Sequence, residues 1–209
     1  MTPFRGEKDT NWEGGWRVPC AIRWPGVIKP GTVSNEICAH EDMLPTLLAA
    51  AGVPDVKEQL LKGMKVGDKT FKVHLDGYDL TDMLAGKAPD PRHEFFYFND
   101  EGSLVGLRYD QWKVVFAEQR AEGFAVWQEP FVPLRLPKVI NIRADPFEHA
   151  EHGWEAYRWR VDRAFLLVPA QQYVGKFLAT FKEFPPSQKV GSFSLDAVME
   201  SLSKGLGDK

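Results

Sequence analysis

A chain of 209 residues, 44% of them hydrophobic and 26% charged, has the material for a packed core in one or two domains. Its formal net charge of −3 is mixed along the chain, and without a long run of one sign it carries neither a nucleic-acid tract nor a polybasic membrane patch. No window approaches the roughly 18–20 apolar residues of a membrane span, so neither nucleic acid nor a membrane is an expected partner.

The opening, Thr2–Gly15, is rich in glycine and charge and reads as a loop. Arg17–Trp24 is a short apolar, partly β-branched run closed by Pro25-Gly26, the pattern of a buried strand. Pro30-Gly31 is a second turn signal. Asp42 stands where it can cap a helix through Met43–Ala51, with Pro45 in the first turn, Gly52 at the C′ position and Pro54 just beyond. The lysine-rich stretch Asp55–Lys72, broken by Gly63 and Gly67, reads as a linker or excursion with one helical turn. Leu80–Ala85 is a short helix stopped by Gly86.

After Ala88-Pro89-Asp90-Pro91 the pattern changes. Glu94–Phe98, Leu104–Tyr109, Trp112–Glu118 and Val139–Arg143 are strand-like and joined by turn signals, which predicts an antiparallel sheet of about four strands. Trp154–Leu167 then spaces its aromatics near the helical period, and Pro169 opens a second helix with the stripe Tyr173, Phe177 and Phe181, ended by Pro185-Pro186. Ser194 caps a last amphipathic helix through Leu202. The helical spacing of Trp154, Tyr157, Trp159, Phe165, Phe177 and Phe181 favours core packing over nucleic-acid stacking, which also needs a basic groove.

The first strand–helix unit has no partner strand upstream, and a buried strand of that kind needs neighbours on both sides. The chain therefore reads as if its first half were cut away. The expected division is 1–55, the incomplete end of an α/β catalytic domain; 56–91, a linker or excursion with short helices; and 92–209, an antiparallel-sheet and helical subdomain. An amputated strand at Val18–Trp24 predicts self-association, because an unpaired apolar strand is a template for pairing.

The segment Arg5-Gly6-Glu7-Lys8-Asp9-Thr10-Asn11-Trp12-Glu13-Gly14-Gly15-Trp16-Arg17-Val18-Pro19 resembles the second signature region of type I sulfatases. Arg23-Trp24-Pro25-Gly26, the run His40–Leu48, Asp76-Gly77-Tyr78-Asp79-Leu80, Arg92–Phe98, Leu107–Lys113 and Asn141–Pro146 follow in that family's order. Ala164–Gln171 and Phe181–Pro186 are similar to bacterial arylsulfatases in particular. The resemblance spans nearly the whole chain and rests on the order of many modest motifs.

It implies an α/β, alkaline-phosphatase-like fold, of which this chain is the tail end of the mixed-sheet domain plus a small C-terminal domain, α+β in itself. It also implies hydrolysis of sulfate esters by a formylglycine nucleophile, with Ca²⁺ held by oxygen ligands as a hard cation prefers. Lys8 matches the signature lysine that contacts the substrate sulfate, and a compact ammonium suits charge developing on the leaving oxygen. Glu13, Gly14, Gly15 and Arg17 are expected as scaffold: glycines for a tight turn, Glu13 and Arg17 as a pair fixing the loop.

The departures decide what the chain lacks. Cys20-Ala21-Ile22-Arg23 is not Cys-x-Pro-x-Arg, because Ile22 stands at the Pro or Ala position. Cys20 and Cys38 are too few for a disulfide framework and read as small buried hydrophobes that pair only if their segments lie side by side. The family's metal-binding Asp and Asn residues and its catalytic histidines precede the lysine, so this chain offers no catalytic residue, no metal ligand and no cofactor of its own. Glu148-His149-Ala150-Glu151-His152 places two histidines at i, i+3, but it lacks the zincin patterns and lies in a loop, which favours solvated side chains.

The leading expectation is the C-terminal part of an arylsulfatase, inactive alone and completed by an N-terminal half, fused or separate. The alternatives are a non-catalytic anion- or protein-binding module and a part of a related phosphate or phosphonate ester hydrolase. The polar N-terminus has no signal-peptide core; a periplasmic parent is compatible with the resemblance.

Overall fold

The computed structural model describes residues 3–186; the helix expected from Ser194 to Leu202 lies outside them. The opening loop ends in a single helical turn, α1 (Glu13–Trp16). The strand expected at Arg17–Trp24 does not form: the segment is extended coil, with Val18 and Ile22 exposed. A strand exists only through the ladder it shares, and no other strand lies beside this run among the described residues. The unpaired strand edge invoked for self-association is therefore not there.

A 3-10 turn at His40–Asp42 leads into α2 (Met43–Ala50). Its end is set by backbone chemistry. Gly52, at φ 95°, donates to Ala49 O and Val53 donates to Leu48 O, the pair of closing bonds that a left-handed residue permits. Asp42 is no cap for this helix. Its carboxylate instead accepts from the Ala39 and Tyr78 amides and from Arg92. The lysine-rich excursion is more ordered than its composition suggests. α3 (Val56–Lys62) buries Val56 and Leu60, and β1 (Met64–Val66) pairs with β2 (Lys69–Phe71) across a turn where Gly67 adopts φ 60°. α4 (Thr81–Leu84) is the short helix stopped by Gly86.

Four antiparallel strands follow, in the spatial order β3 (Glu94–Phe98), β4 (Leu104–Tyr109), β5 (Trp112–Glu118) and β6 (Val132–Asn141). β6 begins well before the expected Val139. It includes Pro133 and Pro137, which β6 accommodates because it is an edge with one partner and its register slips between Val115 and Ala117 of β5. α5 (Trp154–Asp162) and α6 (Leu167–Thr180) complete the described chain.

The period-2 alternation of the strands sorts side chains to two faces. On one, Phe96 stacks on Phe177 at 3.9 Å and Tyr109 meets Tyr173 at 4.7 Å, while Leu107, Val114 and Val139 close on Ala170. This is the apolar core, covered by α6. On the other, Phe95 and Tyr97 take Trp16 of the opening loop edge-on at 5.5 and 5.2 Å. The expected core aromatics divide accordingly. Trp159, Phe177 and Phe181 pack, whereas Trp154, Tyr157 and Phe165 are exposed. Helical spacing says that residues share a face, not that the face meets the sheet. No helix of the described residues is long and apolar enough to cross a membrane.

Candidate functional site

The opening loop is built by its own backbone. Thr10 Oγ1 accepts from the Glu7 amide at 3.1 Å and donates to Glu7 O at 2.6 Å, a closed turn that brings Asp9 to φ 68°. Gly14 N then donates to Arg5 O at 2.6 Å. Gly14 and Gly15 serve close approach rather than a tight turn. A Cβ on Gly14 would lie 2.3 Å from Gly6 O and 2.5 Å from Arg5 O, and one on Gly15 would lie 2.5 Å from Glu7 O. Backbone oxygens cannot retreat as a flexible side chain can. Gly14→Ala is therefore expected to open the loop and cost about 1–3 kcal/mol, the range for overpacking. Urea unfolding checks this, and a loss below ~0.5 kcal/mol would contradict the close approach.

The loop is fastened to the sheet by groups far away in sequence. Asn11 Nδ2 donates to Ala117 O at 2.7 Å, and Trp12 Nε1 donates to Gln119 O at 3.4 Å. Glu13 is buried, and its backbone N–H donates to Glu148 Oε2 at 2.6 Å. Lys113, near the start of β5, reaches both carboxylates: 2.7 Å to Glu148 and 3.3 Å to Glu13. Tyr97 OH also donates to Glu13 at 3.3 Å, and Arg108 stands 3.7 Å from its other oxygen. Burial holds the Tyr97 phenol well above its usual range, with the Glu13 charge acting in the same direction. Burial likewise pushes the Glu148 carboxyl up, against the pull of Lys113.

A more exposed network flanks this one. Arg5 pairs with Glu151 at 2.7 Å and lies 3.7 Å over the Trp12 ring, while Lys138 bridges Glu118 and Glu151 at 2.5 Å each. Burial alone would raise the Glu118 and Glu151 carboxyls, but their hydrogen bonds to Lys138 bring both below the usual range.

The candidate site residue Lys8 sits on this platform with its side chain exposed. Its ammonium lies 4.8 Å from the centroid of the Trp127 ring. Trp127 belongs to a 3-10 helix, Gly123–Trp127, that follows β5, and Glu7 ties that helix to the loop by accepting from Gly123 N at 2.5 Å. Lys8 is thus an exposed cation on a fixed base, the arrangement that receives an anion at little reorganisation cost.

Other expected roles change. Glu13 and Arg17 do not pair through their side chains: Glu13 turns to Lys113, and the Arg17 guanidinium lies 4.5 Å over Phe4. Cys20 and Cys38 are exposed free thiols, not buried hydrophobes, because the segments that carry them are not covered by a sheet. His149 is exposed, and its backbone N–H bonds to Asp145. Among the described residues no group of three or more His, Cys, Asp or Glu side chains has the geometry to hold a metal ion. The Ca²⁺ that the resemblance implies does not fit the donors of this part of the chain, and neither Cys20 nor Cys38 stands in the motif a formylglycine requires.

Sequence reasoning missed Lys113, Glu148 and Trp127. Lys113 had a signal, a charge set between the apolar Trp112 and Val114 of the strand Trp112–Glu118. Glu148 had none, since its position depends on a backbone turn at φ 55°.

Comparison with known proteins places these features. Residues 1–53 match the sulfatase family. Human arylsulfatase A is 38% identical over 157 residues, covering 70% of this chain and 28% of that protein. Mouse steryl-sulfatase is 36% identical over 139 residues, covering 66% of this chain and 18% of that protein. The chain thus spans 18–28% of the length of these relatives. The crystal structure of the sulfatase PsFucS1 from Pseudoalteromonas sp. superposes with a TM-score of 0.68 at 26% identity, over 90% of this chain and 34% of that one.

Proposed function

We infer that this chain, whose sequence and fold set it with the sulfatases, is the part of a sulfuric ester hydrolase that holds the substrate's sulfate through Lys8. The observation that carries this reading is the fastening of the signature loop. Asn11, Trp12 and Glu13 are locked onto the sheet, while the Lys8 side chain of the same loop is exposed.

The chemistry fits the geometry. Cleavage of a sulfate ester S–O bond builds negative charge on the departing oxygen. An ammonium fixed beside that oxygen stabilises the transition state more than the ground state, which is the condition for a rate effect. A lysine bound to a mobile loop would lose that advantage, because orienting it would cost free energy at each turnover. The chain's own residues supply anion binding and orientation. The nucleophile and the divalent cation belong, in this reading, to sequence preceding Lys8 in the complete enzyme. No step of bond cleavage is assigned to residues of this chain.

Hydrolysis of 4-nitrophenyl sulfate by the purified chain, with and without Ca²⁺, tests the reading. We expect no turnover in either case, together with millimolar sulfate binding that Lys8→Ala weakens at least fivefold. Reproducible turnover abolished by Lys8→Ala would overturn it, since the chain would then contain its own nucleophile.

A further inference from the structure

Gln119, the residue that follows β5, is buried and uses every polar atom it has. Its backbone holds the signature loop: the N–H donates to Asn11 Oδ1 and the carbonyl accepts from Trp12 Nε1, each at 3.4 Å. Its side chain holds a different segment. Nε2 donates to Val126 O at 3.3 Å and to Glu129 O at 2.7 Å, while Oε1 accepts from the Ala121 amide at 2.9 Å. Val126 and Glu129 lie at the end of the 3-10 helix Gly123–Trp127, where carbonyls lack partners within the helix. A glutamine amide offers two donors, and that turn takes both.

The turn is therefore pinned to the loop through one buried residue. A second tie lies at its other end, where Glu7 Oε1 accepts from Gly123 N at 2.5 Å. Between the two ties, the Lys8 ammonium lies 4.8 Å from the centroid of the Trp127 ring. Trp127 is largely exposed, so the backbone of the turn, and not packing around the ring, decides where the ring stands. Every one of these bonds joins residues of this chain, and the placement needs no group from outside it.

Resting on the Lys8 reading above, we propose that Trp127 is a positioning residue for Lys8, kept in place by Gln119. An exposed lysine has a long, flexible stem and gives up rotamer freedom when its ammonium is fixed on an anion. A ring face attracts the ammonium and settles part of that freedom before the anion arrives. The ring takes the ammonium from one side, and its three donors leave the other sides for sulfate oxygens. In this role Trp127 does not touch the sulfate; it acts through Lys8.

Two measurements on the full chain test this. Isothermal titration calorimetry gives the affinity for inorganic sulfate. NMR of the chain with ¹³C-dimethylated lysines reports the ring, because the Trp127 ring current displaces the Lys8 methyl signal, which is assigned by its loss in Lys8→Arg. We expect Trp127→Leu to return that signal to the position of the other exposed lysines. It should also weaken sulfate about two- to fivefold, the size of an exposed cation–π contact. Trp127→Phe keeps a ring face, and should retain part of the displacement and bind sulfate more tightly than Trp127→Leu. Gln119→Met removes both donors but keeps the backbone ties to Asn11 and Trp12, and should move both readouts in the direction of Trp127→Leu.

A Lys8 signal unmoved in Trp127→Leu, or a sulfate affinity unchanged or tighter there, would overturn the proposal. So would a Trp127→Phe chain that binds no better than Trp127→Leu. Both readouts unmoved in a folded Gln119→Met would overturn the part given to Gln119; if that variant does not fold, the surface pair at Trp127 still decides. Lys8→Ala separates this failure from that of the anion site. Sulfate weakened by Lys8→Ala but not by Trp127→Leu sinks the positioning role alone, whereas no effect of Lys8→Ala, or no sulfate binding at all, sinks both.

Discussion

Lys113→Met is expected to lower the free energy of unfolding by about 3–5 kcal/mol, the cost of leaving buried charges without their partner. Lys113 has no exposed surface, and its ammonium is the cation nearest to two carboxylates that are themselves buried, Glu13 and Glu148. Methionine keeps the length and most of the apolar contacts of the lysine stem, so the loss reports charge rather than volume. Two like charges then face each other, and only Arg108, at 3.7 Å from Glu13, remains close. Urea unfolding followed by circular dichroism measures the loss. A companion variant, Lys113→Met/Glu148→Gln, removes one of the stranded charges and should recover at least a third of it. A loss below ~1 kcal/mol in Lys113→Met would mean that the cluster is solvated and does not hold the loop.

Asp42→Ala should have an effect of the same order, about 3–5 kcal/mol, for a related reason. Asp42 is fully buried and meets Arg92 through both oxygens, Nε to Oδ2 at 2.8 Å and an Nη to Oδ1 at 2.5 Å. It also accepts from the Ala39 and Tyr78 amides at 2.8 and 2.7 Å. Removing the carboxylate strands a buried guanidinium and two amide donors at once. Glu41, at 2.8 Å from Arg92, is the one carboxylate left nearby, and it is partly exposed. The damage should be local as well as global: amide exchange at Ala39 and Tyr78 should accelerate at least tenfold, more than at Val114 or Leu107 in the sheet. Uniform acceleration across all four would show that Asp42 supports the whole fold and not this junction.

How much of this could be read from the sequence depends on how local the cause is. Three strands, Glu94–Phe98, Leu104–Tyr109 and Trp112–Glu118, were legible to the residue because alternation and turn signals are properties of short windows. The end of α2 was legible for the same reason, since a glycine at C′ acts through its own dihedral. Arg17–Trp24 was misread because its apolar pattern describes a strand in a sheet, and no neighbouring strand is present among the described residues. The first half of β6, which contains Pro133 and Pro137, was not read as strand; prolines fit there only because of an edge position that the topology defines.

The candidate site divides in the same way. Lys8 was accessible through a motif. The groups that fix it, Lys113 and Glu148, are about 100 residues or more from Glu13 in the chain, beyond any local pattern. Likewise Trp127 lay between two recognised strands in a stretch with no strong periodicity, and only its contact with Lys8 gives it meaning.

The tether between Glu13 and Glu148 joins residues 135 positions apart. On a ribosome adding roughly 5–20 residues per second, the signature loop waits about 7–27 s for the residue that binds it. During that interval Glu13 lacks the Glu148 carboxylate that its backbone N–H binds, while Phe95, Tyr97, Lys113, Ala117 and Gln119 are made before it. A chain that stalls between residues 119 and 148 therefore has the partners of Asn11 and Trp12 but not the one that Glu13 binds through its backbone N–H.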